Sequence, residues 1–344
     1  MNDITKYDQA VGALSERLRS RLLAIPHEIK YTVREIRLRS GRPLSISTGQ
    51  KDYYILEAGG TALSPRAGVY TVTPQDVSDS FRVLCGYSIH SCQNEIRGGY
   101  ITVEGGHRAG ICGSAIVEDG QVSGLREISS INLRVARQIY GAATDLIDRT
   151  YPDGVCGTLI VGSPASGKTT VLKDLIRQLA SGADGSCRKI AVIDERGEIA
   201  AMHKGRPQND LGVSADIFDG YPKGEGMNIA IRSMAPEIIV CDEIGSQEDA
   251  EAILNSLNAG VKVIATAHAA SMRELSSRRH IMELIETGAF PKIVLLKGAK
   301  EPSKVAEVLE VGEFIAEDRR EPAAHRSEQH DWTEHVGKFV KESL

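Results

Sequence analysis

The stretch GTLIVGSPASGKTT, residues 157–170, admits few folds. Gly162, Gly167, Lys168 and Thr169 fall on the spacing G-x-x-x-x-G-K-[ST] of a phosphate loop, the Walker A pattern. Small residues through Gly162, Ser163, Pro164, Ala165, Ser166 and Gly167 let successive backbone N–H groups turn inward and make a concave anion site. A helix starting near Lys168 adds its positive N-terminal end. In such a cradle Lys168 reaches the β- and γ-phosphate oxygens, the Thr169 hydroxyl sits on Mg²⁺, and Thr170 closes the run. The flanks agree. Thr158 to Val161 is a short apolar run that reads as a buried strand, and Val171, Leu172, Leu175, Ile176 and Leu179 recur at helical spacing.

At 344 residues the chain has room for about two domains with separate cores. Its 41 basic and 46 acidic residues nearly balance, so net charge points to neither nucleic acid nor membrane surface. Residues 1–150 carry 18 Lys and Arg against 16 Asp and Glu, so the N-terminal half is not a basic domain. Arg greatly outnumbers Lys there, which suits phosphate contacts. No stretch approaches the roughly 20 apolar residues that cross a bilayer, and MNDITKYDQA does not read as a signal peptide. The expected location is the cytoplasm, with any membrane role supplied by a partner. Cys85, Cys92, Cys112, Cys156, Cys187 and Cys241 form no C-x-x-C pair and read as reduced thiols. His90, Cys92, His107 and Cys112 cluster in sequence, but their spacing matches no zinc pattern.

The expected fold class is α/β: a P-loop domain with a mostly parallel sheet, preceded by a smaller α+β domain. Residues 1–140 form the N-terminal domain, 141–310 the nucleotide domain, and 311–344 a charged tail. VREIRLR, residues 33–39, alternates Ile36 and Leu38 with Arg37 and Arg39 as a half-buried strand, and SGRP turns it into LSIS as a hairpin. Thr73 caps a helix with Pro74 at its first position and Asp76 three residues after the cap, and Val77, Phe81 and Leu84 form its apolar stripe. The segment from Gly98 to Val122 reads as short strands joined by Gly-Gly and Asp-Gly turns. Beyond the phosphate loop, strands at 189–194, 237–241 and 261–266, then KIVLL, alternate with helices near 247–258 and 279–287. The tail contains the single tryptophan, Trp332, and reads as solvated chain with room for one short helix.

Three strand ends carry candidate chemistry. EIIVCDE, residues 237–243, is an apolar strand closing on Asp242, assigned to Mg²⁺, and Glu243, assigned to activation of the attacking water. AVIDERGE, residues 191–198, closes on Asp194 and Glu195 at the same carboxyl edge. Either of these acids can share metal or water positioning, or the segment is an edge salt-bridged to Arg196. VKVIATAHAAS ends in Thr266 and His268, where His268 either senses the γ-phosphate by a hydrogen bond or is a satisfied structural histidine.

GSPASGKTT, VIDERGEIA, IIVCDEIG and ATAHAAS, in that order, resemble the secretion ATPase superfamily of type II secretion, type IV pili and type IV secretion. From about residue 30 to 300, REIRLRSGRP, GGYITVEGGHRAGICGSA, ISSINLRVAR and FDGYPKGEGMNIAIRSMAPEIIVCDEIG are similar to the stage III sporulation protein AA family. The resemblance implies a RecA-like ATPase behind a regulatory domain, assembled with itself as a ring of six. It also implies partners: the membrane proteins of the channel between mother cell and forespore in endospore formation. Secretion ATPases set two arginines of the N-terminal domain against the nucleotide, and the matching positions here are Arg108 in GHRAG and Arg134 in NLRVAR. Both are of the type that grips phosphate oxygens, and both can equally pair with local acids. Two departures stand out: the four-cysteine module of many type II relatives is absent, and DERGE replaces an acid-acid-proline pattern, which leaves the catalytic acid open. A nucleic-acid-associated ATPase is the alternative class, against which stand the negative net charge and the lack of a basic stripe. A GTPase is disfavoured because no N-K-x-D guanine signature occurs.

Overall fold

The computed structural model describes residues 3–182 and 185–318. They fold as two compact units, one built from residues up to Ala142 with Thr169–Pro222, the other from Ala143–Lys168 with the described residues from Lys223 onward.

The chain opens with three helices, α1 (Asp3–Gly12), α2 (Glu16–Leu23) and α3 (His27–Lys30). Strands β1 (Glu35–Arg39), β2 (Ser45–Ser47), β3 (Asp52–Ile55) and β4 (Thr61–Ala62) follow as an antiparallel meander. Then come α4 (Pro74–Leu84), α5 (Gln93–Arg97), β5 (Tyr100–Val103), β6 (His107–Glu118) and β7 (Gln121–Arg134). The sheet order is β4-β3-β2-β1-β7-β6-β5, antiparallel throughout. The alternation in β1 works as its sequence requires: Ile36 and Leu38 are buried among Tyr7, Leu14, Leu18, Leu22, Ile131 and Leu133. The other face carries Arg37, and it carries Arg108 directly opposite Arg134. α4 begins as its sequence dictates, with the Thr73 hydroxyl accepting from the Asp76 N–H (3.1 Å) and the Asp76 carboxylate accepting from the Thr73 N–H (2.8 Å). Strands β6 and β7 are longer than the expected short strands. They form one hairpin of 12 and 14 residues, turned at Asp119 and Gly120, both at positive φ.

α6 (Thr144–Thr150) and β8 (Thr158–Gly162) belong to the second unit. α7 (Lys168–Ala180) carries the chain back to the first, where β9 (Ile190–Asp194) and β10 (Ala215–Asp219) pair in parallel. The second unit continues with α8 (Lys223–Met234), β11 (Ile238–Cys241), α9 (Gln247–Asn258), β12 (Lys262–His268), α10 (Met272–Ser276) and α11 (Arg279–Glu286). It ends with β13 (Lys292–Leu296), β14 (Val305–Glu310) and α12 (Val311–Asp318). Its strands run β11-β12-β8-β13-β14, parallel except at the β13–β14 edge. Every residue of β8 and β11 is buried, as for strands covered on both faces. α9 packs on β12, with α8 and α11 beside it. α12 takes up the first eight residues of the expected tail, and Trp332 lies outside the described residues. Among the described residues no helix is long and apolar enough to cross a membrane.

Candidate nucleotide site

In the second unit, β8 delivers its last residue, Gly162, into the phosphate loop, and the loop ends where α7 begins at Lys168. The loop needs its small residues. A Cβ on Gly162 would meet the Ser166 hydroxyl, Ala165 holds φ +60°, and Gly167 holds φ +88°. The Lys168 ammonium folds over the loop, donating to the carbonyls of Gly162 (2.6 Å) and Ser163 (3.1 Å). Its third contact is Nδ1 of His268, 3.0 Å away. An ammonium has only protons to give, so Nδ1 accepts and the ring hydrogen sits on Nε2. Nε2 faces Oε1 of Glu243 at 3.4 Å. Lys168, His268 and Glu243 thus form a continuous polar chain across the ends of β8, β12 and β11. Burial lowers the Lys168 pKa, and the charges of Asp242 and Glu243 oppose that shift.

The two acids after β11 are held by β12. The Thr266 hydroxyl donates to Asp242 Oδ1 and accepts from the Glu243 N–H (2.8 Å), while the Ile244 N–H donates to the Thr266 carbonyl (2.9 Å). Glu243 sits at φ +36°, an unusual backbone for glutamate, and the Lys223 ammonium donates to its carbonyl (2.8 Å). Lys223 also lies 3.8 Å from Asp249, the acid of the capping box of α9. The fixing role of Thr266 and the part of Lys223 are not evident from motif spacing. Thr266 stands at the end of an apolar run in the sequence, and nothing local shows which groups its hydroxyl reaches.

The remaining expected residues lie in the first unit. Asp194 ends β9 and is only 2% exposed. Its Oδ1 accepts from the N–H of Glu198 (2.8 Å) and its Oδ2 from that of Ala200 (2.7 Å), with Ile199 shared between them. Burial raises its pKa, and the three amides pull the other way. Asp194 therefore shapes the turn that follows it. Glu195 is exposed on that turn and lines a cavity of about 990 Å³ with Glu95, Tyr100 and Asp219. Arg108 is gripped from three sides: Nη1 donates to Glu198 Oε1 (3.0 Å), Nη2 donates to the Arg196 carbonyl (3.0 Å), and the guanidinium lies 3.6 Å from the Tyr100 ring centre. Arg134 is 67% exposed, with Nε 3.5 Å from Glu35. Thr169 and Thr170 occupy the first turn of α7. His107 is fully buried and accepts the Ala136 N–H at Nδ1 (3.0 Å).

The molecule is a mixed α/β fold with this loop set between a buried strand and a helix. It is similar to the pilus retraction motor PilT with bound ADP (TM-score 0.51, 15% identity, 78% of this chain and 75% of that one). It is also similar to the ATPase DotB of Yersinia pseudotuberculosis (TM-score 0.51, 16% identity, 86% of each chain). At such identities the likeness is one of fold. The chain belongs to the family described as sporulation stage III, protein AA, whose model matches residues 4–313. It is 37% identical over 309 residues to Stage III sporulation protein AA of Bacillus subtilis (strain 168), covering 90% of this chain and 94% of that protein.

Proposed function

We propose that the chain is a Mg²⁺-dependent ATPase with a RecA-like nucleotide domain at 141–310 behind an α+β regulatory domain at 1–140. In this reading it works as a ring of six from the mother-cell cytoplasm, energising or assembling the channel to the forespore during sporulation. It reaches the membrane through the channel's own membrane proteins. Membership in a sporulation family supports the setting, and the fold shared with PilT and DotB supports the chemistry. The observation that carries the reading is the chain Lys168–His268–Glu243, which joins the phosphate-binding lysine to a carboxylate through an imidazole able to report between them.

ATP is the substrate, with its phosphates in the cradle of residues 162–170. Mg²⁺ suits the hydroxyl of Thr169 and the carboxylate of Asp242, oxygen donors of the kind a hard cation prefers. When bound, that ion neutralises charge on the phosphate oxygens. Glu243 orients and activates the water, and His268 senses the γ-phosphate by a hydrogen bond. The triple amide clasp on Asp194 suits a positioning role, and Glu195, on the turn that follows, is the acid of that segment that shares in positioning water. Arg108 and Arg134 are the arginines that meet the developing phosphoryl charge.

The test separates binding from turnover. Glu243→Gln should bind ATP with Mg²⁺ as the parent does and release phosphate at least about a hundredfold more slowly, since a positioned base contributes about 10²–10⁴ in rate. Full turnover in Glu243→Gln with loss in Glu195→Gln would move the catalytic acid to the segment after β9.

A further inference from the structure

The loop between β13 and β14, residues 297–304, folds against the phosphate loop within the second unit. The Lys297 N–H donates to the Lys304 carbonyl (2.8 Å) and the Glu301 N–H to the Gly298 carbonyl (3.0 Å), so the loop is closed on itself. A Cβ on Gly298 would lie 3.6 Å from the Ser163 hydroxyl, near the start of the phosphate loop. At its other end the Ser303 N–H donates to the Ser166 carbonyl (2.8 Å). Ser303 makes this bond at φ +63°, a left-handed backbone that an L residue adopts only where its surroundings hold it.

That bond has a geometric consequence. A trans peptide sets its C=O and N–H on opposite sides. With the Ser166 carbonyl fixed on Ser303, the Gly167 N–H is turned to the far side. Gly167 fits there only without a side chain: a Cβ would meet the Ser303 hydroxyl and lie 2.7 Å from its nitrogen. The Ser166 side chain does not set this orientation, because its hydroxyl is fully buried and has no hydrogen-bond partner among the described residues. Phosphate loops bind anions through inward N–H groups, so whatever fixes this peptide fixes part of the cradle.

We propose that Ser303 is a positioning residue for the phosphate loop, its backbone N–H orienting the Ser166–Gly167 peptide so that the Gly167 N–H faces the phosphates. This rests on the nucleotide-binding reading above. The strand pair β13–β14 thereby becomes a functional part of the site, although its loop carries no nucleotide motif.

The test replaces the 303 amide by an ester, introducing the 2-hydroxy acid analogue of serine by nonsense suppression in the full chain. The change deletes one N–H and little else. ADP affinity should fall about 2- to 10-fold, the range for one hydrogen bond. KM for ATP should rise by a similar factor with kcat within about twofold, because the contact acts on bound phosphates in ground and transition states alike. The melting temperature should stay within a few degrees, and Ser303→Gly, which keeps the N–H and suits the positive φ, should retain parental affinity. Equal ADP affinity in the ester variant and the parent overturns the role of Ser303 and leaves the ATPase reading intact. A parent chain that binds no nucleotide overturns both.

Discussion

Gly167 carries two constraints at once, a φ of +88° and the Ser303 nitrogen 2.7 Å from where a Cβ would stand. Gly167→Ala should therefore cost about 1–2 kcal/mol from the left-handed backbone alone, read by chemical denaturation, and weaken nucleotide binding further. His107 gives a second prediction, on pH. Burial, with a smaller push from Lys6, holds its pKa at about 3 against an ordinary 6.5. The folded value lies below the unfolded one, so protons favour the unfolded chain. The stability this histidine confers is complete above about pH 6.5 and is lost as pH falls toward 3. Going from pH 7 to 5 should cost about 2 kcal/mol, and His107→Gln should flatten that slope in urea titrations at the two pH values. A slope unchanged by His107→Gln would show that other groups titrate instead. At this scale the strand, loop and helix around residues 158–180 were legible because the apolar run and the helical spacing are local. The hold of Thr266 on Asp242 and Glu243 was not, because it joins residues 24 and 23 apart in the chain.

Helix α4 shows what local sequence alone can specify. Its reciprocal cap uses residues three apart, so Thr73, Pro74 and Asp76 are enough to place its start. Thr73→Ala should destabilise the protein by about 1 kcal/mol, visible as a lowered melting temperature, and an unchanged transition would contradict the capping role. Other elements escaped for identifiable reasons. Strand β10 buries none of its residues and β14 only Val305, and neither carries a long apolar run to announce it. Helix α8 contains Gly224 and Gly226, poor helix formers, and Gly226 is among its buried residues. Helices α1 and α2 did leave a signal, since Tyr7, Val11, Leu14, Leu18 and Leu22 recur at helical spacing and are all buried. The hairpin β6–β7 outran its reading because its outer half, with Val117 and Val122 exposed, lacks the in-out alternation that marks a strand on a core.

At the scale of the whole molecule, the proposed ATPase reading rests on two arginines of the first unit. Arg108 and Arg134 face each other across β6 and β7, and Arg108 is occupied by Glu198, the Arg196 carbonyl and Tyr100. On the proposed reading it must leave these partners to meet a phosphate. Arg108→Ala and Arg134→Ala should then keep most ATP affinity and lose turnover by a factor approaching 10³, the lower range for an arginine supplied to phosphoryl transfer. If either arginine serves a neighbouring subunit, mixing its variant with Lys168→Ala should restore part of the activity. Full turnover in both single variants would remove the arginines from the mechanism. The cradle at residues 162–170 is proposed to bind ATP for hydrolysis. The most direct measurement is phosphate release from ATP and Mg²⁺ by the purified parent chain beside Lys168→Ala. Turnover is expected in the parent and its near-complete loss in the variant, with ATP affinity severely weakened. Turnover in Lys168→Ala close to the parent's, or a parent that neither binds nor cleaves ATP, would contradict this proposal.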